Sequence, residues 1–273
     1  MNFALIGEKL SYSLSGEIHR RLFKLRGIKA DYSLTEIPQN KLLSYDFSSL
    51  AGFNVTAPYK TEIISRISKL SDRANLLQSV NTVFIKNGQM QGFNTDYDGF
   101  LLALKSAGHS LSGCVSVMGC GGAARTFCFA AAQNGCDINL IVRPSSLDKA
   151  TGLAAELKSR YKGIKVDINA DLFADLLINA TPAGTLHNPD LLPFGADAIN
   201  RCGCFFDAVY NPAQTPLIKM ATAKGVPSQN GLLMLVYQAI KSQEIWFGST
   251  LYDKDEQSII DFAKDISAGG KVL

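Results

Sequence analysis

Val115-Ser116-Val117-Met118-Gly119-Cys120-Gly121-Gly122-Ala123-Ala124 joins a short, largely apolar run to a glycine-rich turn and then to a helical pattern. Gly119-x-Gly121-x-x-Ala124 matches the dinucleotide-binding fingerprint, with Ala as the accepted third residue. The first glycine permits the tight turn, the second lets the backbone approach a pyrophosphate, and the small third residue lets helix and strand pack. Glycines also mark ordinary turns. Here, however, the motif follows a strand pattern and opens a helix, whose N-terminus offers free N–H groups and a positive dipole end.

The segments that follow repeat the same alternation. Residues 138–142 form an apolar strand pattern, and 147–161 a helix with Leu153, Ala154 and Leu157 inward. Residues 176–180 read as a strand ending in the loop Thr181-Pro182-Ala183-Gly184, and 205–208 as another strand. Strand and helix in alternation imply a parallel sheet covered by helices, a Rossmann-type doubly wound α/β domain. The end of the second strand selects the cofactor. Val142-Arg143-Pro144-Ser145-Ser146 lacks the acid that bonds the ribose of NAD, and Arg143 can pair with a 2′-phosphate, so NADP is favoured. Ser145 and Ser146 either add hydroxyl donors or cap a helix.

Upstream, residues 3–6 and 32–37 read as strands and 16–27 as a helix carrying Ile18, Leu22, Phe23 and Leu25. Ile63, Ile64, Ile67 and Leu70 suggest one face of a helix starting near Lys60. Residues 82–86 and 90–93 flank Asn87-Gly88, a hairpin signal, and 98–107 read as a helix. Residues 232–247 and 258–263 are helical in pattern. This tail is expected to rejoin the first domain, because Gln238 would otherwise be a wasted amide on an apolar helix. The expected architecture is an N-terminal α/β substrate domain, 1–98 with 236–273, plus an NADP-binding domain, 99–235, with a cleft between them.

A length of 273 residues suits two modest domains. A composition of 47% hydrophobic and 19% charged residues is that of a soluble globular protein. The net charge of +3 comes without a basic run interleaved with aromatics, which argues against nucleic acid as a partner. No charged leader precedes the first apolar stretch, and no uncharged run reaches membrane-spanning length, so the chain reads as cytoplasmic with no membrane association. None of the six cysteines shows C-x-x-C spacing, so reduced thiols without a metal are expected. His19, His109 and His187 are scattered and read as structural or exposed.

Three polar strings carry the remaining chemistry. They are Phe53-Asn54-Val55-Thr56-Ala57-Pro58-Tyr59-Lys60, then Asn81-Thr82 with Asn94-Thr95-Asp96, and Met234-Leu235-Val236-Tyr237-Gln238. Hydroxyls, amides, one lysine and one aspartate suit a small polyhydroxylated acid. Next to a dinucleotide loop they suggest hydride transfer at a sugar-like carbon. Lys60 in the first turn of a helix would be poorly placed against the dipole, which favours a functional reading over a solvated one. Asp96 is either a helix cap or a catalytic partner, with Asp98 then capping. Ser13 and Ser15 are either loop or cap serines, or alternate hydroxyls on one side of an extended segment that could meet a carboxylate. Gln238 is either exposed or a substrate ligand, since a buried unpaired amide is costly.

With these residues in view, the chain resembles the shikimate dehydrogenase family over nearly its whole length. The resemblance rests on Ser13-Leu14-Ser15 with Ile18-His19, Asn54-Val55-Thr56 through Pro58 and Lys60, and Val80-Asn81-Thr82. Further matches are Asn94-Thr95-Asp96, Asn179-Ala180-Thr181-Pro182-Ala183-Gly184, Asp207-Ala208-Val209-Tyr210-Asn211-Pro212, and Asn230-Gly231-Leu232 with Met234-Leu235-Val236 and Gln238. It implies NADPH-dependent reduction of 3-dehydroshikimate to shikimate, a step of chorismate and aromatic amino acid biosynthesis, by a monomer or homodimer. It implies Lys60 and Asp96 as catalytic residues, and Ser13, Ser15, Thr56, Asn81, Tyr210 and Gln238 as substrate contacts. Gly119, Gly121, Gly122, Ala123, Arg143, Thr181 and Gly231 would hold the cofactor. The chain departs from the family pattern at Tyr12 (usually His), Gly16 (usually Pro) and Gln78-Ser79 (usually Gly-Ala). It also departs at Val142-Arg143-Pro144, where Asn-Arg-Thr is common, and at Leu147, where a second Arg can stand. Two alternatives are a quinate or quinate/shikimate dehydrogenase using NAD, and a catalytically silent binding protein, which would lack the Lys–Asp pair.

Overall fold

The computed structural model describes residues 1–11 and 13–269; Tyr12 therefore lies outside the described residues. In chain order the elements are β1 (Asn2–Gly7), α1 (Ser15–Leu25), β2 (Asp31–Glu36), β3 (Gly52–Val55), β4 (Lys69–Leu70), α2 (Asp72–Leu77), β5 (Thr82–Lys86), β6 (Gln89–Phe93) and α3 (Asp96–Ser106). There follow β7 (Cys114–Met118), α4 (Gly122–Gln133), β8 (Asp137–Ile141), α5 (Leu147–Arg160), β9 (Val166–Ile168), β10 (Ala174–Asn179), β11 (Cys202–Asp207), α6 (Pro216–Ala223), β12 (Ser228–Gln229), α7 (Leu232–Phe247) and α8 (Asp253–Ser267). The chain divides into two compact units, Met1–Gly99 with the segment from Leu235 onward, and Phe100–Met234.

The first unit is built on a six-stranded mixed sheet in the order β2-β1-β3-β5-β6-β4. β1 runs parallel to β2 and β3, whereas β5 is antiparallel to β3 and β6. Asn87 and Gly88, at φ 52° and 74°, close the β5–β6 hairpin with the left-handed pair that a two-residue turn requires. Ala4, Ile6, Phe53, Val55, Val80 and Val83 are buried in one core cluster; Phe3, Leu5, Phe23 and Trp246 belong to another. The period of two in β1, with Phe3 and Leu5 in one cluster and Ala4 and Ile6 in the other, identifies a strand buried on both faces.

The expected helix over residues 60–70 is not formed. A turn leads into a 3₁₀ segment at Glu62–Arg66, Ile67 is extended at ψ 125°, and Leu70 lies in β4 beside β6. Ile63, Ile64, Ile67 and Leu70 still pack into the same core cluster, so strand pairing at β6 outweighed a local helical spacing.

The second unit carries a six-stranded, all-parallel sheet in the order β12-β11-β10-β7-β8-β9. The first strand of this unit, β7, lies centrally, and the order reverses between β7 and β10. That is the doubly wound arrangement, whose ligands bind beyond the carboxyl ends of the strands at the reversal. β7, β8, β10 and β11 are buried on both faces, as parallel strands covered by helices must be. Phe100, Phe127 and Phe206 pack together, with ring centroids 4.5–6.0 Å apart. No helix among the described residues is long and apolar enough to cross a membrane.

Candidate active site

In the first unit, Lys60 and Asp96 meet although 36 residues separate them. Lys60 Nζ donates to Asp96 Oδ2 at 2.6 Å, with side chains 21% and 10% exposed. The pair is therefore reachable but largely screened from water, where a charge pair is worth more than at an open surface. Lys60 lies in the turn before the 3₁₀ segment, not in a helix, and its carbonyl accepts from the Val80 N–H at 2.8 Å. The dipole argument for its misplacement thus falls away, and its environment comes instead from Asp96.

Asp96 opens α3. The end of that helix is tied by Asn94, whose Oδ1 accepts from the Tyr97 N–H at 3.3 Å, while Asp98 lies inside the first turn. Capping by Asp98 is accordingly replaced by Asn94. Asp96 Oδ1 is left to accept from Asn81 Nδ2 at 2.8 Å. Asn81 Oδ1 accepts from the Thr95 N–H at 2.7 Å, and Asn81 Nδ2 also lies 3.5 Å from Gln238 Oε1. One amide thus connects the lysine–aspartate pair to α7.

Thr56 lies at the mouth of the same strands, its N–H donating to the Ile6 carbonyl at 2.9 Å. Ser13 and Ser15 are brought together by a turn rather than by alternation along an extended segment. Leu14 is in the helical region at φ −82°, ψ −1°, and Ser15 is the first residue of α1. The Ser13 hydroxyl donates to the Ser15 Oγ at 3.1 Å, and Ser13 Oγ accepts from the Ser15 N–H at 3.3 Å.

A layer of hydroxyls stands behind Asn81, and one of its members, Ser242, was missed by the sequence reading. Ser242 of α7 lies 2.8 Å from the Thr82 Oγ1 and 3.2 Å from the Thr95 Oγ1. Asn54 Nδ2 donates to Ser242 Oγ at 2.9 Å and to Thr82 Oγ1 at 3.0 Å. Ser242 lies one turn beyond Gln238 on the same helix face, which was its only signal in the sequence. His19 is fully buried, stacks on Tyr32 at 4.2 Å, and has its pKa pushed down to about 3 by burial, so it is a neutral core residue.

In the second unit, Gly119 follows β7 at φ 105° and donates its N–H to the Ile141 carbonyl at 2.9 Å. Gly121 is the N-cap of α4, and Gly122 and Ala123 form its first turn, which contains no acid. Ala124 is fully buried, as the third position of the motif requires. Thr181 follows β10, and its hydroxyl donates to Asn179 Oδ1 at 2.7 Å. Gly231 donates to the Val209 carbonyl at 3.1 Å, and a Cβ there would collide with the Ala208 carbonyl oxygen. Tyr210 is half-buried just after β11. Arg143 is exposed at the end of β8.

A second buried set joins the ends of β10 and β11; Asn179, Asp207 and Val209 stand in strings already singled out in the sequence, whereas Thr215 and the pairing do not. Asp207 accepts from Asn179 Nδ2 at 2.9 Å, from the Val209 N–H at 3.0 Å and from the Thr215 hydroxyl at 2.6 Å. Burial pushes its pKa up to about 6 against the lowering effect of those donors. Among the described residues no cluster of three or more His, Cys, Asp or Glu could hold a metal ion.

A mixed-sheet unit with a Lys–Asp–Asn cluster, followed by a doubly wound unit with a glycine loop at its strand-order reversal, defines a two-unit α/β protein of the Rossmann dinucleotide-binding class. Residues 5–83 match the family model described as the shikimate dehydrogenase substrate binding domain. The chain is 35% identical over 260 residues to the shikimate dehydrogenase (NADP(+)) of Ignicoccus hospitalis, covering 93% of this chain and 96% of that one. Its structure resembles the shikimate 5-dehydrogenase of Thermus thermophilus in complex with NADP(H) and shikimate, at TM-score 0.83 and 31% identity, over 96% of this chain and 99% of that one. The Listeria monocytogenes shikimate 5-dehydrogenase, in complex with shikimate and NAD, matches at TM-score 0.81 and 28% identity, over 97% of this chain and 95% of that one. The chain belongs to the shikimate dehydrogenase family.

Proposed function

We propose that the protein reversibly reduces 3-dehydroshikimate to shikimate with NADPH, its first unit binding the substrate and its second the cofactor. The observation that carries this reading is the Lys60–Asp96 pair at 2.6 Å, held through Asn81, in a chain that also has the glycine loop. The N-terminus of α4, free of acids, and the exposed Arg143 fit a pyrophosphate and a 2′-phosphate respectively. When bound there, NADPH supplies the hydride. Lys60, as ammonium, stabilises the negative charge that grows on the substrate's ketone oxygen and delivers the proton to it. Asp96 orients Lys60 through their hydrogen bond. Thr56, Asn81 and Gln238 bond the ring hydroxyls, Ser13 and Ser15 hold the carboxylate, and Tyr210 approaches the carboxylate end. Gly119, Gly121, Gly122, Ala123, Thr181 and Gly231 shape the cofactor's bed.

Steady-state assays of shikimate and of quinate, each with NADP and with NAD, test this reading. The expected result is the highest kcat/KM for shikimate with NADP. A preference for quinate with NAD would overturn it and move the protein to the quinate branch of the family, a reading kept in view by the absence of a second arginine at Leu147.

A further inference from the structure

We propose that Asn169 is a positioning residue for cofactor choice, acting through the backbone that carries Arg143. The inference rests on the assignment of Arg143 to the 2′-phosphate above. β8 and β9 pair from Ile138↔Val166 to Leu140↔Ile168, and there the ladder ends. Asn169 turns the chain at φ 53°, while its own N–H still donates to the Leu140 carbonyl at 2.9 Å. Its side chain then replaces the missing strand partner. Asn169 Oδ1 accepts from the Val142 N–H at 2.8 Å, and Asn169 Nδ2 donates to the Val142 carbonyl at 3.0 Å.

A reciprocal clamp locks the turn itself. Asn139 of β8 accepts from the Ala170 N–H at 3.1 Å and donates to the Ala170 carbonyl at 3.0 Å. The Val142 carbonyl belongs to the peptide plane that enters Arg143. On the other side, the Arg143 carbonyl accepts from the Ser146 N–H at 2.9 Å across a 3₁₀ turn begun by Pro144. The backbone of Arg143 is therefore held on both flanks. Its guanidinium is exposed and has no hydrogen bond or ion pair among the described residues.

A fixed stem with a free head is a preorganised anion contact, for which little ordering remains to be done on binding. The clamp also compensates for a phosphate site built on one arginine. With a single phosphate-pairing cation, discrimination depends on where that cation's stem is placed. A hydroxyl at the 2′ position gains little from the same placement, so loosening the stem penalises NADP and spares NAD.

The test compares Asn169→Gly, Arg143→Ala and the double variant, with KM measured for NADPH and NADH in each. Glycine accepts the positive φ of residue 169 without strain and removes only the two side-chain hydrogen bonds. Asn169→Gly should raise KM for NADPH by about 5- to 30-fold, the loss expected for one or two weakened bonds, and leave NADH within about twofold. In the Arg143→Ala background the same change should have no further effect on NADPH, because the two residues act as one unit. Asn169→Gln, which stays neutral and keeps the amide but displaces it by one methylene, should also raise KM for NADPH selectively, and it carries the test if the glycine variant does not fold. Equal loss for both cofactors, or additive losses in the double variant, would overturn the inference. If Arg143→Ala selectively harms NADPH while Asn169→Gly does not, the inference alone fails. If Arg143→Ala leaves NADPH untouched, the assignment of Arg143 fails with it.

Discussion

Lys60 shows how little of a proposed catalytic residue's environment is local. Its sequence neighbours are apolar or polar but uncharged, apart from Glu62; its charge partner comes from Asp96 at the start of α3. Lys60→Ala should lower kcat on the order of 10²- to 10⁴-fold with a much smaller change in KM for shikimate, since the ammonium matters most when the ketone oxygen becomes negative. Steady-state kinetics check this, and a variant with wild-type kcat would remove Lys60 from the reaction. Ser13 and Ser15 carry a different expectation. Replacing both by Ala should weaken shikimate binding, by about 1.5–3 kcal/mol for each hydroxyl that bonds the carboxylate. Calorimetric titration reads it directly. Unchanged affinity would leave the Ser13–Ser15 hydrogen bonds as a cap for α1 and nothing more.

At the scale of elements, the strands and their turns were largely legible and the short connections were not. Asn87-Gly88 announced the β5–β6 hairpin because few residues accept two successive left-handed conformations. The glycine loop announced β7 and α4 because its spacing and its place between strand and helix reinforce each other. Residues 60–70 misled because four apolar side chains can reach one core from a helix, or from a 3₁₀ turn followed by a strand. Only β6, from another part of the chain, decides between them. The turn into α7 is equally tertiary in origin. Gly231 passes directly beneath the Ala208 carbonyl, so Gly231→Ala forces the end of β11 and the start of α7 apart. The cost should be about 1–3 kcal/mol, as for other overpacked sites. A lowered melting temperature together with a raised KM for NADPH is the expected result, and an unaltered melting curve would contradict it.

For the whole molecule, two buried ionisable groups give stability opposite pH dependences. His19 has a native pKa of about 3 against 6.5 when unfolded. As pH falls below 6.5 the unfolded chain takes up a proton that the native state refuses, so stability is lost progressively toward pH 3. Asp207, raised from 3.8 to about 6, works the other way: the native state keeps its proton longer, and that contribution disappears as pH rises through about 6. Urea denaturation from about pH 4 to pH 7 should therefore show His19→Phe gaining on wild type as pH falls, because phenylalanine has no proton to accept. A difference between the two proteins that stays constant with pH would contradict the buried, neutral state of His19. The sequence by itself determined the parallel α/β unit, its nucleotide loop, the hairpin and the residue types of the polar site, because periodicity and glycine conformations are local constraints on φ and ψ. Only the tertiary structure decided that Asp96 pairs with Lys60 while Asn94 takes over the cap. It also decided that Ser242 backs Asn81 from α7, and that Asn169 holds both backbone groups of Val142, next to Arg143. Those outcomes turn on which buried polar atoms find partners across long stretches of chain, and burial without a partner costs enough to select one arrangement among the many that a local pattern permits.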